Sequence, residues 1–233
     1  MSISKIKNSL ENKSSKKQKI INEYFFKTKK GGYAENDQFI GVSVPEIRKI
    51  SNENQNVKKH IIKELLYSKI HEERMLSLII LIKRYKKQKD EVYNFYITNI
   101  KQINNWDLVD ISAPSILGSY IYEKKIDPIK GLKKFYSSNS MWERRISIVC
   151  TLYLIKKNIY KPTIYISRKL LSDKEDLIHK AIGWTLREVW KKNKNLIEIF
   201  ITENYPKIHR TTLRYIIEKM EESKRKKILL MKY

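Results

Sequence analysis

Glycine and proline, the residues that most readily interrupt a helix, occur only 6 and 5 times in 233 residues. Between them, apolar positions recur at three- and four-residue spacing, which is the period of an amphipathic helix and not of a strand. The chain is therefore expected to be all-α. Helices are expected near 16–30, 56–68, 71–87, 89–103, 105–123, 127–137, 140–157, 161–172, 174–193, 195–203 and 206–221. Asp127-Pro128 and Tyr205-Pro206 read as helix starts. The first ~15 residues read as at most a loosely ordered helix within a single domain.

A weak internal repeat sharpens the fold class. Glu73-Arg74-Met75-Leu76-Ser77-Leu78-Ile79 lies over Glu143-Arg144-Arg145-Ile146-Ser147-Ile148-Val149 at an offset of 70, or twice 35. Helix pairs of that length suggest a HEAT-like helical-repeat solenoid with a concave basic face, on which residues distant in sequence could share a groove. One segment breaks the regularity. Thr28 to Pro45 holds three of the six glycines and reads as an ordered connection or as a loop that touches a partner, with Pro45 opening the next helix.

Lys and Arg total 49 against 25 Asp and Glu, a net charge of +24 spread along the whole chain. Such a surface attracts polyanions, and nucleic acid comes before an anionic membrane because its phosphates release counterions on binding. Apolar runs such as Leu76 to Ile82 stop at Lys83-Arg84, short of the roughly 20 residues that cross a bilayer. No secretory signal opens the chain. The single cysteine, Cys150, sits in an apolar run and reads as a core residue. An intracellular, reducing compartment is expected.

Against this basic background, Trp106 and Asp110 stand four apart in Asn105-Trp106-Asp107-Leu108-Val109-Asp110, on one helix face. A second tryptophan, Trp184, lies in Lys180-Ala181-Ile182-Gly183-Trp184-Thr185-Leu186-Arg187. A carboxylate beside an aromatic ring suits a cation, which is drawn by both the charge and the negative ring face. The bland alternatives stay open: both tryptophans could fill core, Asp110 could be satisfied by Ser112 or Asn105, and Arg144 and Arg145 could form a solvated face with Glu143. His60, His71, His179 and His209 are scattered, with no zinc spacing, and Gly31-Gly32 lacks the ending of a phosphate-binding loop.

The chain resembles the DNA alkylation repair glycosylases built of HEAT-like repeats, the bacterial AlkD family. The likeness rests on four ordered blocks: Tyr24-Phe25-Phe26-Lys27-Thr28 with Phe39-Ile40-Gly41-Val42-Ser43-Val44-Pro45; Asn105 to Asp110; Met141-Trp142-Glu143-Arg144-Arg145; and His179 to Glu188. The resemblance implies excision of cationic N3- and N7-alkylated purines, chiefly 3-methyladenine and 7-methylguanine, from duplex DNA in base excision repair. It implies neither base flipping, nor metal, nor organic cofactor. Trp106, Asp110 and Trp184 would form the catalytic set. Arg145 sits where the family grips backbone phosphate, Tyr24 and Gln38 fall near positions that approach DNA, and Arg144, Lys180 and Arg187 in the same blocks are further DNA-binding candidates.

Some family members carry a second tryptophan where this chain has Asn105. Branches that lack glycosylase activity have lost catalytic aromatic or acidic residues that are kept here. The expected partner is double-stranded DNA containing alkylated purines, with no membrane, no obligate protein partner, a monomeric state and a cytoplasmic, nucleoid-associated location. A non-catalytic helical-repeat binder of DNA or RNA is the competing reading.

Alkylation at N3 or N7 leaves the purine positively charged and already a good leaving group, so the catalytic demand moves to the sugar. Positive charge builds on the deoxyribose as the glycosidic bond stretches, as in sugar hydrolysis. An ionised Asp110 would stabilise that charge and orient water, and the two indole faces would each add roughly 0.5–2 kcal/mol.

Overall fold

The computed structural model describes residues 2–230. Among them there is no β-strand, only an isolated bridge between Gln38 and Ile70, so the fold is all-α and of the helical-repeat type. Among the described residues no helix is long and apolar enough to cross a membrane. Packing divides the chain into two compact units, with the boundary between Ser112 and Ala113.

The first unit holds α1 (Ile3–Glu11), α2 (Lys16–Phe25), α3 (Val44–Glu53), α4 (Lys59–Leu66), α5 (His71–Tyr85), α6 (Lys89–Thr98) and α7 (Trp106–Ser112). Its centre is α5, which packs against α1, α3, α4, α6 and α7. That placement explains the eleven consecutive buried residues from His71 to Leu81, polar ones included. The loosely ordered start expected from the sequence is a capped, packed helix instead. Ser2 accepts from Lys5 N, and Ile6 and Leu10 are fully buried. Isolated apolar residues among lysines and asparagines hid this element, since two buried positions four apart suffice to hold nine residues against a neighbour.

The connection from Lys27 to Ser43 is ordered by one buried carboxylate. Glu72, in the first turn of α5, accepts from the backbone N–H groups of Ile40, Gly41 and Val42 at 3.2, 2.8 and 3.3 Å. Gly41 takes φ +81°, and a Cβ there would stand 2.2 Å from Ser15 O, so glycine lets the loop pass against the start of α2. The helix expected to reach residue 30 therefore ends at Phe25, where Lys27 turns left-handed at φ 54°. Pro45 opens α3 as expected.

The second unit holds α8 (Ser119–Glu123), α9 (Pro128–Gly131), α10 (Lys133–Tyr136), α11 (Met141–Val149), α12 (Thr151–Lys156), α13 (Lys161–Leu170), α14 (Asp176–Trp190), α15 (Lys194–Asn204), α16 (Arg210–Ile217) and α17 (Glu222–Leu229). Here α14 is central, packed on α11, α12, α13, α15 and α16. Asp127 caps α9 through Ile129 N and Lys130 N, as its Asp-Pro start predicts. Tyr205-Pro206 opens only a short 3-10 turn, and α16 begins at Arg210.

The helix expected over 105–123 is interrupted by a π-helical turn at Pro114–Gly118. Pro114 has no N–H to donate to the carbonyl of Asp110, and the ladder resumes with Gly118 N bonded to Ala113 O at 2.9 Å. Recurrent pairing between residues about 35 apart bears out the repeat. Arg168 donates to Glu203 at 2.6 Å and the Thr211 hydroxyl to Asp176 at 3.0 Å.

Candidate functional site

Trp106 is the first residue of α7, and its ring is held on three sides. It stacks on Phe26 with centroids 5.1 Å apart and 11° between planes, and it meets Phe25 edge-on at 5.7 Å. Its indole N–H donates to the Tyr33 hydroxyl at 3.1 Å, which in turn donates to the Phe25 carbonyl. Phe26, Ala34 and Phe39 form the buried cluster beneath, and Phe39 stacks on the His71 imidazole at 4.6 Å. The ring stays partly exposed. It is neither a core filler nor a loose surface residue, and the glycine-bearing loop that delivers Tyr33 is what orients it.

Below the ring lies a buried ionic network that joins the loop, α5 and α7. His71 Nε2 is 2.7 Å from Asp107 Oδ2, and its Nδ1 is 3.2 Å from Asp37 Oδ2. Arg74 pairs with Asp37 Oδ1 at 2.7 Å. His71, Arg74 and Asp37 side chains are each about 5% exposed or less. Burial by itself would lower the imidazole's pKa, but the carboxylates of Asp107 and Asp37 outweigh it and hold the group above its usual value. For Asp37 burial works upward, and the His71 hydrogen bond, Arg74 charge and Asn105 amide together bring its carboxyl below the usual range.

Asn105, the position where some resembled proteins have tryptophan, belongs to the same network. Fully buried, it donates through Nδ2 to Asp37 at 2.9 Å and accepts through Oδ1 from Trp106 N at 2.8 Å, capping the start of α7.

Asp110 lies one turn beyond Trp106 on α7 and is half-buried. Near it, the Ser112 hydroxyl donates to Leu108 O at 2.5 Å and pairs with Tyr96, and Asn105 binds Asp37 and Trp106. Tyr24, on α2 beside this cluster, is 83% exposed. Gln38 is exposed too, while its backbone is tied to Lys69 and His71.

In the second unit, Trp184 is half-buried on α14. Arg144, on α11, grips Asp173 bidentately at 2.6 and 3.1 Å. Arg145 is only 5% exposed and donates to Leu177 O at 2.5 Å, in the first turn of α14. Lys180 is partly exposed and pairs with Asp176 at 2.8 Å, and Arg187 pairs with Glu218. The solvated face that Arg144 and Arg145 were weighed against is not what they form with Glu143. Both are turned into the packing between helices.

Sequence reading gave Asp37 and Asp107 no role, took His71 for one of four scattered histidines, and weighed Asn105 only as a partner for Asp110 and as the place of a missing tryptophan. A signal was present: Asp37, His71 and Asp107 are spaced 34 and 36 apart, one repeat each, so stacking brings them together. Burial raises the Cys150 thiol, which leaves it a core residue. Among the described residues no group of three or more His, Cys, Asp or Glu side chains could hold a metal ion.

With this geometry in place, comparison with known proteins is informative. No curated protein matches the chain. A solved structure described as "Predicted DNA alkylation repair enzyme from Enterococcus faecalis" superposes with a TM-score of 0.72 at 18% identity, over 90% of this chain and 98% of that one, and so shares the fold. The family model for the DNA alkylation repair enzyme matches residues 6–220. That match spans nearly the whole chain, and the protein belongs to the DNA alkylation repair enzyme family.

Proposed function

We propose that the protein is a monofunctional DNA glycosylase that excises cationic N3- and N7-alkylated purines from duplex DNA without flipping the base. The observation that carries this is Trp106 and Asp110 on one face of α7, the ring pinned by Phe26 and Tyr33 and left partly exposed. A preorganised indole face and a carboxylate suit a cationic sugar, and they offer little to hydrogen-bond a purine edge. Asp110 stabilises the oxocarbenium-like charge and orients the attacking water. Trp106 presents its ring to the deoxyribose, and the family resemblance gives Trp184 a similar role. Protonation of the leaving base is unnecessary because alkylation has already charged it.

Contacts to the phosphates come from side chains with room to reach them. Tyr24 and Gln38, both exposed, and Lys180, 38% exposed, fit that role. Arg144, Arg145 and Arg187 act chiefly by holding the helices that present such contacts, since each has internal acceptors. The setting that follows is base excision repair on the cell's own duplex, in the cytoplasm and on the nucleoid.

The test is base release from duplex treated with a methylating agent. Free 7-methylguanine or 3-methyladenine is expected, leaving abasic sites without strand cleavage. A bulky cationic N7 adduct should be released as well, and uracil should not. Binding of duplex without any base release would leave a non-catalytic binder. Rejection of the bulky adduct or efficient removal of uracil would sink the sugar-contact mechanism.

A further inference from the structure

The His71 imidazole meets a carboxylate oxygen at each nitrogen. An ionised carboxylate only accepts hydrogen bonds, so both contacts are made when both nitrogens carry protons. The charged groups around the ring are Asp107 from α7, Asp37 from the loop and Arg74 from α5, whose Nη2 is 3.4 Å from Nδ1. The neighbouring acids of α5 point elsewhere, Glu72 to the loop N–H groups and Glu73 to Lys7 of α1. Two cations and two anions then make a neutral buried quartet.

We propose that His71 is a positioning residue for Trp106: as an imidazolium bridging Asp107 and Asp37, it ties the Asp37 loop to the first turn of α7 and so fixes the orientation of the Trp106 ring. When the ring loses a proton, one nitrogen lone pair faces a carboxylate oxygen and that contact turns repulsive. Asp37 keeps Arg74 and Asn105 as donors. The Nδ1 lone pair also has the Arg74 Nη2 donor at 3.4 Å, so the neutral ring keeps its proton on Nε2, toward Asp107. The slack therefore falls on the contact between α5 and the Asp37 loop, the loop that also carries Tyr33 to the Trp106 indole. The effect on rate rests on the glycosylase reading, whereas the coupling of His71 to Trp106 does not.

The experiment follows two signals of the full-length protein by NMR from about pH 5 to about pH 9, a range spanning the ordinary histidine value. They are the His71 ring resonances and the Trp106 indole N–H, identified by its loss in Trp106→Phe. Both are expected to move with one midpoint, above the ordinary 6.5. Asp107→Asn should bring that midpoint down. Single-turnover release of 7-methylguanine should fall about tenfold or more through the same midpoint, as misplaced groups lose rate, while affinity for undamaged duplex stays constant. A Trp106 signal that ignores the His71 titration, or a shared midpoint unmoved by Asp107→Asn, overturns the proposal. If the two signals move together but no methylated base is ever released, the positioning role stands and the glycosylase reading fails.

Discussion

Arg74 and Arg144 hold equivalent turns in the two units. Nη1 of Arg74 donates to the carbonyls of Ser68 and Lys69 at 3.0 and 3.3 Å, and Nη1 of Arg144 donates to those of Ser138 and Asn139, both at 3.0 Å. Each also engages a buried aspartate, Asp37 in the first case and Asp173 in the second. In both turns the serine hydroxyl accepts from the backbone N–H two residues on, Ile70 or Ser140. The same arginine, two repeats apart, braces the chain as it enters α5 and α11.

Arg144→Ala is therefore expected to destabilise the fold by about 3 kcal/mol, because Asp173, 5% exposed, would lose its bidentate partner. A lowered urea midpoint at unchanged slope is the measurement. A variant as stable as the parent that binds duplex weakly would return Arg144 to the DNA surface.

Asp110→Asn removes a charge with little change in shape. Electrostatic stabilisers of this kind are worth roughly 2.7–4 kcal/mol, or ~10²–10³ in rate. Single-turnover base release should drop by that factor while duplex affinity is retained. Excision at the parental rate would show that Asp110 is not the catalytic carboxylate.

Gly183 sits directly before Trp184, where α14 meets α16. A Cβ there would lie 2.3 Å from Tyr215 Cβ and 2.7 Å from Thr212 O. Gly183→Ala must push the helices apart, at a cost of about 1–3 kcal/mol. Thermal denaturation should show the loss, and an unchanged midpoint would mean that α16 yields freely.

Stability should depend on pH through two histidines of opposite sign. His71 is raised in the fold, so its contribution is present below the ordinary 6.5 and is lost as pH rises through the folded value. His179 is lowered, first by burial and then by His209, whose ring stacks on it at 4.3 Å. Its unfolded form binds the proton more readily, so stability falls as pH drops below 6.5. Urea midpoints across pH should show both limbs, with His71→Gln removing the alkaline one and His179→Gln the acid one. Unaltered limbs in either variant would assign them to other groups.

The helical period and the scarcity of glycine and proline determined that the chain is all-α, and the offset between Glu73-Arg74 and Glu143-Arg144 determined that its helices repeat. Both are local properties, written in the spacing of neighbouring residues. Trp106 and Asp110 were legible for the same reason, since four residues on a helix set a shared face whatever surrounds it.

What Trp106 rests on was decided only by the tertiary structure. Phe26 and Tyr33 arrive from a loop more than seventy residues earlier, and Glu72 orders that loop through backbone N–H groups that leave no trace in residue type. Asn105, read as a missing tryptophan, became a buried cap, and Arg144 and Arg145, read as facing DNA, turned inward to Asp173 and Leu177. A charged side chain's partner depends on which helix stacks beside it. That is set by the packing of whole repeats and not by the residue or its neighbours in sequence.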